Sequence, residues 1–307
     1  VAIAEVTAVG IYMGMWFPDV PQWVWALSSI ILMGLINLIA VKVFGEFEFW
    51  FALIKIMAIV LMIVLGCFVI FFGFTNNWVP MGLSNLWQHG GFFPNGISGF
   101  LLSLHMVLFA YVGIEMIGLS AGEAKKPEQT IPMAIDSLIW RILIFYLGAL
   151  TVILALFPWN EVGQQGSPFV AMFERIGLKE AAGIVNFVVI TAALSACNAG
   201  VFSGGRLLYA LSANGYAPKP FVRLSLSGVP HRAVIGTVCV PMAGVILNYL
   251  VPEKAFHYMM AAVTFVGLMV WIAILYTHYR FRKSLSAEQL SKLAYRAPWW
   301  PFSTWFA

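Results

Sequence analysis

Long apolar runs constrain this chain more than any other feature. Eight stretches of mostly apolar residues, at about 1–17, 22–43, 49–73, 97–121, 137–157, 181–211, 233–251 and 256–279, are separated by connections rich in Pro, Gly and Asn. About 20 such residues are what an α-helix needs to cross roughly 30 Å of hydrocarbon at 1.5 Å per residue. Composition agrees, with 61% hydrophobic and only 10% charged residues, where a soluble domain carries about a quarter charged. The expectation is an all-α polytopic membrane protein of about eight transmembrane helices, with 1–307 forming a single transmembrane domain.

Charge then gives orientation. The net charge of +4 arises from 17 Lys and Arg against 13 Asp and Glu, scattered with no basic stripe, which argues against nucleic acid as a partner. Thirteen of the basic residues, among them Lys42, Lys125, Arg206, Arg232 and Arg280, fall in one alternate set of loops and helix ends, while Arg175, Lys179 and Lys254 fall in the other. The thirteen-residue side is expected to be cytoplasmic. Trp16, Trp23, Trp50, Trp78, Trp159 and Tyr279 sit near segment ends, where amphipathic rings anchor at the headgroup level. Cys67, Cys197 and Cys239 stand singly in apolar segments, a spacing that indicates neither a disulfide framework nor a zinc site. No metal spacing, phosphate loop or Ser/His/Asp arrangement is present, so neither an enzyme nor a cofactor is indicated. The chain starts at Val1 inside an apolar stretch and stops in Pro298 to Ala307, a Trp- and Pro-rich interfacial entry into another helix. That reads as an internal fragment of a longer protein.

The polar residues placed at membrane depth matter most, because ionisable groups there are costly and mark functional sites. In Phe109-Ala110-Tyr111-Val112-Gly113-Ile114-Glu115 a glycine and a carboxylate sit inside an apolar run. A helix broken there would expose carbonyls and amides able to hold a small charged solute, as discontinuous helices of secondary transporters do; an intact helix packed closely at Gly113 is the alternative. Glu115 fits either a cation- or proton-binding role or a cap on exposed amides. Glu5 lies twelve residues before Phe17, roughly 18 Å into the bilayer. It lines a cavity or bonds a neighbouring helix. Lys55, six residues into its segment and about 9 Å deep, either snorkels to the cytoplasmic interface or is a buried amine able to exchange a proton. Thr191, Ser195 and Asn198 share one helical face that suits close helix packing or a polar pathway. His105 reads as a satisfied interior residue.

Several stretches taken together resemble a known family. Ala4-Glu5-Val6-Thr7-Ala8, Gly45 to Lys55, Phe109 to Glu115 with Ala121-Gly122-Glu123-Ala124-Lys125, Phe157-Pro158-Trp159-Asn160, Gly166-Ser167-Pro168-Phe169 and Gly205-Arg206-Leu207-Leu208-Tyr209-Ala210-Leu211 look like bacterial amino-acid permeases of the amino acid–polyamine–organocation superfamily. Within that family the chain is most similar to proline-specific permeases, with histidine permeases as close rivals. The resemblance implies a bacterial inner-membrane protein with the LeuT-type inverted-repeat fold. On that map the chain holds the end of helix three through helix ten and the start of eleven; a fragment without helix one is not expected to transport.

The resemblance also implies roles. The carbonyls of Phe109, Ala110, Tyr111, Val112 and Gly113 would meet a substrate amino group, Glu5, Ser195 and Asn198 would line the path, and Lys55 and Glu115 would couple transport to protons. The function it implies is proton-coupled uptake of a neutral amino acid such as proline by alternating access. The alternatives are a permease or exchanger for histidine or another amino acid, or an amino-acid sensor on the same scaffold.

Overall fold

The structure, a computed structural model, describes residues 2–39, 41–74, 77–119, 126–162, 167–175, 177–226, 228–293, 295–297 and 299–306. The motif residues 121–125 and Gly166 lie outside these. Every regular element among the described residues is helical. In order they are α1 (Ala2–Met13), α2 (Gln22–Ile39), α3 (Val41–Phe72), α4 (Asn85–Gln88), α5 (Gly96–Tyr111), α6 (Met116–Leu119) and α7 (Pro127–Arg141). A π-helical turn (Ile142–Leu147) leads into α8 (Gly148–Leu156), followed by α9 (Pro168–Arg175) and α10 (Lys179–Ala213). After a 3-10 turn (Lys219–Val222) come α11 (His231–Cys239), α12 (Met242–Leu250), α13 (Pro252–Ser284), α14 (Ala287–Ser291) and α15 (Phe302–Phe306).

Seven stretches among the described residues are helical, long and apolar enough to cross a membrane. The eighth apolar segment, at 1–17, gives the twelve-residue α1, because the backbone turns at Gly14, whose N–H bonds the Ile11 carbonyl at 3.2 Å. Other helices outrun their apolar runs. The run starting at Phe49 is helical from Val41, and the run starting at Ser137 is helical from Pro127. Apolarity counts only residues that hydrocarbon accepts, whereas Pro and Glu are favourable in a first helical turn. The span 233–251 is divided at Val240 and Pro241 into α11 and α12, since proline has no N–H to continue the ladder.

The chain forms two compact units, Val1–Phe100 with Arg141–Met259, and Leu101–Trp140 with Met260–Ala307. In the first, α10 is the central element: half of its span is buried, and it packs against α1, α2, α3, α9 and α11. One apolar cluster joins Met62, Val69 and Ile70 of α3 to Val152 and Leu156 of α8 and Met172 and Phe173 of α9. A second joins Val6, Ile30, Met33, Cys197, Val201, Val234 and Val245 from α1, α2, α10, α11 and α12. Lipid offers apolar side chains the same environment as a neighbouring helix, so close packing and interhelical hydrogen bonds hold such helices together. The second unit is built on α5, α6, α7 and α13.

Candidate functional site

α5 gives up its regular bonding after Tyr111, and α6 resumes it at Met116. Between them the backbone runs on tighter i→i−3 bonds: Val112 N–H to Phe109 O at 3.1 Å, Ile114 N–H to Tyr111 O at 3.2 Å and Met116 N–H to Gly113 O at 3.0 Å. Gly113 has φ of +107°, a conformation that a residue with a Cβ rarely adopts. Its N–H donates to Glu115 Oε2 at 3.0 Å, and the same oxygen accepts the indole N–H of Trp271 at 3.1 Å. Glu115 therefore ties the broken backbone to α13 through two hydrogen bonds to an ionisable carboxylate, the stronger kind when the acceptor is charged.

α13 follows the break in register. The Thr264 hydroxyl, bonded to its own Met260 carbonyl at 2.8 Å, also lies 3.3 Å from the His105 carbonyl. At Gly267 a Cβ would sit 2.8 Å from Val112 Cγ2, so the missing side chain there makes room for that of Val112. Thr264, Gly267 and Trp271 are three and four residues apart, which puts them on one helical face. This face meets α5 before, at and after the break.

The other residues selected from the sequence lie in the first unit, where Thr191, Ser195 and Asn198 share one face of α10 and Asn186 lies on another. Asn186, Thr191, Ser195 and Asn198 are all at most 5% exposed, so each needs a partner. Asn186 Nδ2 donates to the Tyr12 carbonyl of α1 at 3.0 Å, and Thr191 bonds back to Val188 O at 2.8 Å. Asn198 Oδ1 accepts from Asn37 Nδ2 of α2 at 2.6 Å. Ser195 Oγ accepts from Lys55 Nζ at 2.7 Å and donates to Glu48 Oε1 at 2.5 Å. Lys55 and Glu48, seven residues apart on α3, stand 4.0 Å apart at Nζ and Oε1. Glu5 on α1 is within electrostatic reach of the Lys55 amine. A cavity of about 190 Å³ between α1, α9 and α10 is lined by Tyr12, Ser167, Glu174 and Asn186. Among the described residues no group of three His, Cys, Asp or Glu could hold a metal ion.

The arrangement is thus a helix interrupted and braced by a carboxylate in one unit, and a buried hydroxyl between a half-buried amine and a half-buried carboxylate in the other. Comparison with known proteins supplies the identity. The amino acid permease family model matches residues 1–307. The chain belongs to this family. It is 52% identical over 303 residues to the uncharacterized amino acid permease YtnA of Bacillus subtilis, covering 99% of this chain and 65% of that protein. It is 51% identical over 305 residues to the probable threonine/serine transporter YbxG of the same organism, covering 99% and 66%. It is 44% identical over 304 residues to the amino-acid permease AapA, again with 99% and 66% covered. The chain spans about two thirds of the length of these relatives. The relatives are named as permeases and transporters, and the seven apolar helices among the described residues fit a multi-pass protein of the bacterial cytoplasmic membrane.

In this permease chain the structure adds partners that the sequence does not single out. Glu48 is one, a carboxylate at the edge of an apolar run whose signal is its position beside the span that holds Lys55. Asn37 and Asn248 stood unremarked inside apolar segments. Asn248 Nδ2 donates to Thr7 Oγ1 at 2.8 Å, and its Oδ1 accepts from Gln22 Nε2 at 2.6 Å, pinning α1, α2 and α12 together. Trp271 carried a signal too: it lies mid-segment, where an anchoring role does not apply.

Proposed function

We propose that this permease takes up a small neutral amino acid by alternating access, driven by protons. The observation that carries the proposal is the interruption of α5 at Val112 and Gly113, held open by Glu115 and Trp271. Non-helical backbone at membrane depth is tolerated only where it lines a protected cavity or is buried in protein, and carbonyls at the end of a half-helix attract a positive group. On this reading the substrate ammonium rests on carbonyls of Phe109 to Gly113. Glu115 keeps that segment in shape, Glu5 lines the path, and Ser195 and Asn198 shape it through their partners. Lys55, hydrogen-bonded to Ser195 and near two carboxylates, carries the coupling proton. Residues 1–307 act as one permease domain, corresponding to family helices three to ten and the start of eleven. The substrate carboxylate is met by helix one of the family.

Proline is the first substrate choice, on the resemblance carried by the sequence motifs. Threonine and serine are the second, favoured by the 51% identity to a protein named a probable threonine/serine transporter. Counterflow of labelled proline, threonine, serine and histidine into liposomes containing the full-length permease separates these choices. Exchange confined to threonine and serine removes proline. A labelled neutral amino acid that binds without crossing the bilayer removes the transport reading and leaves a sensor.

A further inference from the structure

From the contacts around Lys55 we infer that Glu48 is a proton-relay residue, receiving the coupling proton from Lys55 through the Ser195 hydroxyl. The inference rests on the reading of Lys55 as the coupling amine and extends it by naming the acceptor, the connecting group and the direction. Three observations carry it. First, the donor order is continuous: Lys55 Nζ donates to Ser195 Oγ at 2.7 Å, and Ser195 Oγ donates to Glu48 Oε1 at 2.5 Å. A hydroxyl that accepts on one side and donates on the other is the minimal element of a proton wire, because it can take a proton and release its own in one step. Second, Lys55 and Glu48 form only a long ion pair, 4.0 Å between Nζ and Oε1, so the Ser195 hydroxyl is the hydrogen-bonded route between them. Third, Glu48 Oε2 is buried and has no hydrogen-bond partner among the described residues. The bare oxygen leaves Glu48 with an open acceptor position beside the one that Ser195 fills, so the carboxylate is not closed into a complete hydrogen-bond network.

The step balances. Lys55 gives an N–H proton to Ser195 Oγ as the Ser195 O–H proton passes to Glu48 Oε1. The ammonium becomes an amine, the carboxylate becomes a carboxylic acid, and the hydroxyl is restored. Glu48 lies seven residues before Lys55 on α3, toward the face that carries the thirteen basic residues. It is the first residue of the apolar span Glu48–Phe72, so on this inference the acid discharges its proton at the cytoplasmic end of α3. The surrounding elements supply few competitors. From α1 the titratable groups are Glu5 and Tyr12, and Glu5 interacts electrostatically with Lys55. From α10 the nearest in sequence is Cys197, turned into an apolar cluster. α2 and α8 carry no titratable side chain.

The test uses the full-length permease in liposomes and measures, for each variant, proton-driven accumulation relative to counterflow of the same labelled amino acid, together with the pH profile of uptake. Glu48→Gln keeps the shape of the side chain and abolishes its proton acceptance. The ratio of accumulation to counterflow is expected to fall at least tenfold, and the pH profile to flatten. A Glu48→Gln protein with the wild-type ratio and profile overturns the relay. If that variant loses both fluxes, Glu48→Asp decides: a shorter carboxylate preserves the wild-type ratio and profile at a lower rate if the group relays protons, and a collapsed ratio overturns the proposal. Lys55→Ala separates this inference from the reading beneath it. Lost coupling in Lys55→Ala beside intact coupling in Glu48→Gln refutes Glu48 alone, whereas intact coupling in Lys55→Ala refutes both.

Discussion

Gly113 shows how much one residue can decide. At φ of +107° it ends one half-helix and aims its N–H at a side-chain oxygen two residues ahead. Nothing stands within 4 Å of the position a Cβ would take, so the barrier to substitution there is conformational and not steric. Gly113→Ala is expected to cost about 1–3 kcal/mol of local strain, with the helix relieving that strain by closing the turn. The thermal midpoint of the detergent-solubilised full-length protein should hold within a few degrees, while substrate-induced stabilisation is lost. A variant that binds substrate as well as the wild type would show that the left-handed glycine is dispensable. This residue was legible in the sequence because of the carboxylate two positions on, which is unusual at that depth, whereas glycine alone is common in spanning helices. Asn37 and Asn248 were not, since a neutral amide in an apolar run is common enough to pass, and its importance lies in a partner hundreds of residues away: Gln22 and Asn248 are 226 positions apart.

Elements bring such residues into register. α13 meets α5 at Thr264, Gly267 and Trp271, and sequence inspection yields the shared face of these three but not the helix they face. Trp271→Phe removes the indole donor while keeping the ring. It should weaken the hold on Glu115 by about 1.5–3 kcal/mol, the range for a hydrogen bond to a charged group, and raise the half-saturation concentration for substrate with little change in global unfolding temperature. Gly267→Leu would instead press on Val112, raising the half-saturation concentration and lowering the unfolding temperature. Equal effects of Trp271→Phe on substrate affinity and on the unfolding temperature would reduce Trp271 to a packing residue. α3 carries the same lesson in its length. Its helix begins at Val41, eight residues before its apolar run, and this extra length brings Glu48 into the same helix as Lys55, seven residues behind it and on nearly the same face.

For the whole molecule the sequence predicts a fixed orientation. Reporter fusions in the full-length protein should read cytoplasmic after Ser284, beyond Arg280, Arg282 and Lys283, and external between Leu250 and Pro252, beside Lys254. The opposite readout at either site would invert the assignment of Glu48 to the cytoplasmic side of Lys55 and the direction of the proposed relay with it.

The amino-acid sequence by itself determined that this chain is helical and membrane-spanning, where most of its helices run, where one of them could break and which ionisable groups fall inside apolar runs. These are local consequences of hydrophobicity and backbone conformation, readable within a window of about twenty residues. Tertiary structure alone decided that Ser195 stands between Lys55 and Glu48, that Asn248 closes onto Thr7 and Gln22, and that Trp271 completes the hold on Glu115. Hydrogen bonds act only over about 3 Å, and it is helix packing, not spacing along the chain, that brings such groups within that distance.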